Sequence, residues 1–359
     1  MSIEGYVKAK QVALGRSLAS RHKVYLDLNF WIVVRDAASG IRTDPSSQRL
    51  LSLLRSGVLQ EKLVCPIADT IFVELMKQPF SDDRRLGTAR LVDELSLGVS
   101  MMMSQRRVAT EIAILVHNLL GRADTLHPMQ ELIWTKVCHV LGERYPVVRG
   151  LDEAILLDLQ RGFIDQLWQS SLVQMVDLIG DRWDFDDGTA EISAAFNRER
   201  DEHAHEVPSF ERAYEAEIAG IIDATGETIA GVLCGIGEED GFEGPQHGGD
   251  AWHETENFGK NLLLTAFKNG DAMNIVRTIH IEASLHAAMC MDKQHPYEPN
   301  DIYDFEHASA ALAYCDIFLT EKGLRDLVTR KKLDLTRLND CKVASNPGQA
   351  IGLLEALVG

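Results

Sequence analysis

Four short pieces of this chain place carboxylates where a cation could use them: Asp27 in KVYLDLNFW, Glu74 in CPIADTIFVEL, Asp304 in DFEHASAALAYCD and Asp316 in CDIFLTE. Asp27 stands near the end of an apolar β-type run, where an acid without a partner is costly to bury. Glu74 falls one turn into the helix after a second short strand, Asp304 opens an Ala-rich helix, and Asp316 begins the strand that follows it. Carboxylates at strand ends and helix starts converge at the carboxyl edge of a parallel sheet, where open α/β folds keep their sites. Gathered there, they repel one another unless a divalent cation neutralises them. The chemistry expected is therefore Mg²⁺ or Mn²⁺ chemistry on a phosphodiester, with a nucleophilic water made at neutral pH and a stabilised leaving oxygen. Cysteine and histidine at zinc-ligand spacing are missing from the sequence.

The elements that must position these acids alternate. Residues 23–28 read as a strand, followed by a helix from about Asn29 to Trp31 onwards; residues 46–56 are helical by the spacing of Leu50, Leu51, Leu53 and Leu54. Residues 63–66 form a second short strand ended by proline, and Asp69 or Thr70 can cap a helix that runs to Lys77. The C-terminal segment repeats this grammar: helix 304–314, strand 316–319, helix 322–329, strand 342–344, and a last helix with Pro347 in its first turn. Short strands alternating with helices predict parallel βαβ units and an α/β class. Between about Ser81 and His295 the pattern changes. Residues 91–120, 129–141, 151–178 and 209–233 read as helices, and the Gly-rich piece 235–250 as an exposed, mobile loop.

Composition narrows the setting. A length of 359 residues accommodates about two or three domain-sized units. Six cysteines without a CxxC pair fit reduced thiols in a cytoplasmic protein, and no apolar run approaches the ~18 residues of a membrane span. The N-terminal stretch is amphipathic and lacks the apolar block of a secretory signal. A net charge of −18 argues against binding nucleic acid by bulk electrostatics, yet it leaves room for a nuclease with a local basic groove. Arg84, Arg85, Arg106 and Arg107 are the candidates for that groove. His203 and His205 in RDEHAHE do not share a helix face and read as solvated surface; neither a P-loop nor a GxSxG element occurs. Trp31 and the three methionines at 101–103 read as core.

The four acidic pieces, in this order and each in a βα context, resemble the PIN-like nuclease domain. The resemblance rests on Asp27 with Asn29, Glu74, Asp304 with His307, and Asp316 with Thr320. It implies a PIN-like three-layer α/β fold with a central parallel sheet, formed by residues 1–80 and 296–359 and interrupted by a large, mainly α-helical insertion at 81–295. It also implies a metal-dependent nuclease, an endoribonuclease above all, with Asp27, Glu74, Asp304 and Asp316 as catalytic and metal-holding acids for Mg²⁺ or Mn²⁺. Asn29, Thr320, Glu306 and His307 would support the site. Many such domains place an acid two residues after the strand-end threonine; here Glu321 follows Thr320 at once and Lys322 comes next. Asp316 and Glu321 both stay open as the fourth acid. The expected partner is nucleic acid, RNA before DNA, with no membrane, and a toxin or phage-defence role would suit such an enzyme. The insertion offers a place for substrate selection, self-association into a homo-oligomer or a regulatory partner. The alternatives are a PIN-like scaffold that binds RNA or protein without cleaving, a DNA nuclease and a nucleotidase.

Overall fold

The computed structural model describes residues 2–183, 188–203, 209–292 and 295–358. It is mostly helical, and its described strands are β1 (His22–Leu26), β2 (Leu63–Val64), β3 (Val99–Met101), β4 (Trp134–Lys136), β5 (Ile317–Leu319) and β6 (Lys342–Ala344). Four of them make a parallel sheet in the order β2-β1-β5-β6, so the chain is of the α/β class. Val24, Tyr25 and Leu26 of β1 are fully buried, as a central parallel strand covered on both faces requires. β3 and β4 pair antiparallel, and an isolated bridge from Ile67 to Ser100 ties β3 to the segment just beyond β2.

The chain divides into two compact units. The sheet unit comprises Met1–Met103, His127–Asp186 and Ala310–Gly359; the helical unit comprises Ser104–Leu126 and Asp187–Ser309. The break therefore falls elsewhere than the sequence boundaries at 80/81 and 295/296: β3, β4 and the helix Arg85–Ser96 belong with the sheet, while the helix Ser104–Leu119 and the residues from 296 up to Ser309 belong with the helical unit. These two strands were expected to be helix. The left-handed backbone of Leu97 (φ 56°) and Gly98 (φ 69°) ends the helix Arg85–Ser96 and turns the chain into β3, and the next helix starts only at Ser104. The stretch 129–141 holds a single helical turn, Met129–Leu132, ahead of β4.

Around the sheet run α1 (Ile3–Ser17), α2 (Leu28–Ala38), α3 (Pro45–Leu59) and α4 (Asp69–Lys77). Asp27 and Asp44 cap α2 and α3 through their carboxylates, with Pro45 preorganising the first turn of α3. α4 departs from expectation in detail: Ala68 holds its cap position without a side-chain bond, and Asp69 is an acid of its first turn, where the helix dipole favours it. Stretch 151–178 is two helices, Glu153–Trp168 and Leu172–Ile179, parted by a capping box on Ser171 and Gln174.

In the helical unit, stretch 209–233 is likewise two helices, Phe210–Ala224 and Gly226–Glu239, bent by 64°. The second continues through Gly235 and Gly237, so the first third of the expected loop is helix; Ile229, Val232, Leu233 and Ile236 hold it on the unit's apolar core. Among the described residues no single helix is long and apolar enough to cross a membrane. The RDEHAHE segment ends the helix Thr189–His203; its residues from Ala204 on, His205 included, lie outside the described residues. All six cysteines are free, and burial pushes the thiols of Cys65, Cys315 and Cys341 well up.

One glycine in the sheet unit fixes a close approach. A Cβ on Gly15 of α1 would run into the backbone of Glu131, which cannot swing aside as a side chain can. Gly15→Ala is expected to cost about 1–3 kcal/mol by overpacking, read as a lower denaturation midpoint with an unchanged m-value.

Candidate functional site

The strand order makes β1 the point where the sheet reverses: β2 lies on one side of it, β5 and β6 on the other. Open parallel sheets leave a crevice at such a point, outside the carboxyl ends of the two diverging strands. Asp27 is the first residue past β1 on that edge. It is 3% exposed, its N–H donates to the Leu319 carbonyl at 3.0 Å, and its Oδ1 accepts from the Phe30 N–H at 2.9 Å. The position is thus an N-cap whose acid is held in the protein interior.

On the neighbouring strand, Thr320 and Glu321 are the first residues past β5. The Thr320 N–H donates to the Ala344 carbonyl at 2.9 Å, while its fully buried hydroxyl has no hydrogen-bond partner. Glu321 occupies the N-cap position of the helix Lys322–Val328 without using its side chain there. Its carboxylate accepts from the Asn29 amide instead, linking the two strand ends across the edge. Glu74 is half-buried on α4, which follows β2 and packs against α2.

The register corrects the placement of Asp316. Val24 pairs with Ile317 and Leu26 with Leu319, so Asp316 stands beside Lys23, at the amino edge. Its Oδ2 accepts from the Lys23 N–H at 2.7 Å, and its own N–H donates to the Lys23 carbonyl at 2.9 Å. Asp27 lies four residues further along β1, roughly 13 Å away at the usual strand rise. In a parallel sheet, an acid that precedes its strand and an acid that follows one are at opposite ends. Asp316 fixes the start of the β1–β5 pairing; Glu321 is the acid at the carboxyl edge.

Asp304, Glu306 and His307 lie on the helix Pro299–Tyr314, whose residues up to Ser309 belong to the helical unit. That helix starts five residues before Asp304, which is therefore an interior helix residue and not a cap; the Asn300 amide donates to its carboxylate at 3.4 Å. His307 is buried and Glu306 half-buried. Two of the four arginines also change role. Arg85 is buried, donating from Nε to the Gln78 carbonyl and from Nη1 to the Gly180 carbonyl, each at 2.8 Å, and Arg107 is fully buried. Neither faces a phosphate; Arg84 and Arg106 are exposed.

The helical unit holds ionisable groups that the sequence did not single out. Buried Glu111 accepts from the Thr278 hydroxyl at 2.8 Å and from the Thr278 N–H at 3.2 Å. Near it, burial and the negative charges of Glu306 and Glu111 push the Glu282 carboxyl up to about 7, against the opposing pull of the Ser309 hydroxyl and Arg107. Burial pushes His280 and His286 down to about 4, beside the hydroxyls of Tyr214 and Tyr297. In sequence these residues look like ordinary helix-surface charges, since only the tertiary packing desolvates them.

A hard divalent cation asks for oxygen donors. The carboxyl edge of the sheet unit offers that kind: the carboxylates of Asp27 and Glu321, the amide of Asn29 and the unbonded hydroxyl of Thr320. Among the described residues, no three Asp, Glu, His or Cys side chains stand close enough together to hold one ion. No protein-family model, curated protein or solved structure matches this chain.

Glu282 gives a signed pH prediction. With its carboxyl raised above the ordinary value, the folded state binds a proton that the unfolded state has released, so its contribution to stability falls as pH rises from about 4.5 to about 7. Glu282→Gln should therefore raise the unfolding temperature at pH 8 relative to wild type, and the gain should vanish towards pH 4.5. A gain that does not change with pH would assign the effect to packing.

Proposed function

We propose that the chain is a PIN-like, divalent-metal-dependent nuclease that cleaves RNA, in which the helical unit is an insertion into the α/β core. The observation that carries the reading is Asp27. A carboxyl group is kept in the interior at the carboxyl end of β1, at the sheet's reversal point, with the unbonded Thr320 hydroxyl and the Asn29–Glu321 pair on the same edge.

Asp27 and Glu321, with the Asn29 amide beside them, are the oxygen donors of the sheet unit's carboxyl edge that would face Mg²⁺ or Mn²⁺; Glu74 and Asp304 enter from the resemblance alone. When bound, the cation supplies a Lewis acid for a nucleophilic water and for the leaving oxygen. The chain's own groups do the positioning. The Phe30 N–H fixes one oxygen of Asp27. The Asn29 amide turns Glu321 towards β1. The Thr320 hydroxyl contributes one donor to whatever oxygen enters the edge. RNA is favoured over DNA by the resemblance, and exposed Arg84 and Arg106 remain the candidates for phosphate contacts.

The decisive measurement is cleavage of labelled single-stranded RNA and DNA with Mg²⁺, Mn²⁺ or EDTA. Asparagine caps a helix as well as aspartate does, so Asp27→Asn should fold normally. Asp27→Asn and Glu321→Gln should each lose more than the about 100-fold typical of removing a supporting residue, and Asn29→Ala about 10–100-fold. Asp316→Asn, at the other edge, should cut at the wild-type rate. RNA cleavage by Asp27→Asn at that rate would overturn the proposal, and turnover of mononucleotides alone would make the protein a nucleotidase.

A further inference from the structure

From residue 213 to residue 259 the chain has no lysine or arginine, against eleven aspartates and glutamates. This run spans most of the helix Phe210–Ala224, all of the helix Gly226–Glu239 and the first half of the helix Asp250–Asn269, all within the helical unit. The last two helices cross closely because Gly259 carries no Cβ, which would otherwise overlap the side chains of Ile229 and Leu233. Their inner faces join the unit's core through Ile229, Leu263 and Phe267.

The outer side of this hairpin is not finished in the same way. An open groove of about 690 Å³ lies along it, lined by Leu233, Pro245, Ala251 and Phe258 with Glu243, Glu254 and Thr255. Phe258 is 64% exposed, and Phe242 on the connecting turn is 71% exposed. Large aromatic rings left in water beside a ready groove mark an interaction surface. Among the described residues neither Glu243 nor Glu254 is paired with a cation.

We propose that this groove docks a partner protein through a basic segment that carries apolar anchors. Charge complementarity selects the occupant. The run of 47 residues supplies no cation of its own, and the neighbouring Arg122 and Lys260 are taken up by Asp240, Asp223 and Glu256, so the rim repels nucleic acid and a second copy of this acidic chain, whereas lysines and arginines on a partner find the unpaired carboxylates of Glu243 and Glu254. The apolar floor supplies affinity for a leucine- or phenylalanine-type side chain set among those cations. The groove is open along the hairpin, which suits a chain segment with successive side chains. It belongs to the helical unit alone and does not depend on the proposed cleavage chemistry.

The test is fluorescence anisotropy with a fluorescein-labelled amphipathic Lys/Leu peptide, an oligolysine of equal charge, and a Glu/Leu counterpart. The full chain should bind the Lys/Leu peptide saturably, oligolysine far more weakly, and the Glu/Leu peptide not at all. Phe258→Ala should weaken binding by about tenfold, and Glu243→Gln with Glu254→Gln severalfold with a shallower salt dependence. Both sites are on the surface, so circular dichroism should match wild type. Removing two charges elsewhere, Asp152→Asn with Asp158→Asn, should leave the affinity unchanged. Equal binding of oligolysine, wild-type affinity in Phe258→Ala, or an equal loss in the distant double variant would reduce the effect to bulk charge and overturn the proposal.

Discussion

Everything at the carboxyl edge depends on one pairing. β1 and β5 lie side by side in parallel, although Lys23 and Asp316, which begin the ladder, are 293 positions apart in the chain. Closing so large a loop is less prohibitive than it looks, because the entropy cost grows only with the logarithm of length. The pairing still needs a fixed register, since a slip of one residue would turn every side chain of β1 to the opposite face. Asp316 supplies that fixation from the amino edge by holding the Lys23 N–H. The two acids of the CDIFLTE piece thus divide the labour: Asp316 sets the register, and that register brings Glu321 opposite Asn29 and Thr320 near Asp27.

The distribution of charge follows a second logic. Buried cations, Arg85 and Arg107, tie backbone or acidic groups inside their own units. The largest block of negative charge lies on the hairpin of the helical unit. That run, residues 213–259, carries eleven of the 54 acids and no lysine or arginine, so it holds more than half of the net charge of −18. Inside the helical unit, burial and the charges of Glu306 and Glu111 let Glu282 hold its proton up to about pH 7.

Much of the sheet was legible because local signals agreed. The runs at 23–28, 63–66, 316–319 and 342–344 are apolar, short and followed by helix signals, and β1, β2, β5 and β6 form there. The position of Asp27 just past β1 was legible because the apolar run stops there; that its carboxylate caps α2 was not. β3 and β4 were hidden because three-residue strands leave no readable alternation, and the left-handed Leu97 has no sequence signature. Asp316 was misplaced because strand polarity, which separates a preceding acid from a following one, is a property of pairing and not of composition. Arg85 and Arg107 read as surface cations because the carbonyls and acids that surround them come from distant segments. The helix start at Pro299 was masked by Asp304, whose residue type suits a cap and whose position within the helix does not.

The late arrival of β5 has a consequence for synthesis. A ribosome that has delivered Lys23 must translate 293 further residues before the strand that pairs with β1 emerges. Until then β1 has an open edge, and neither Thr320 nor Glu321 exists. Chains that stop before residue 317 therefore lack half of the carboxyl edge, and any activity built on it waits for β5.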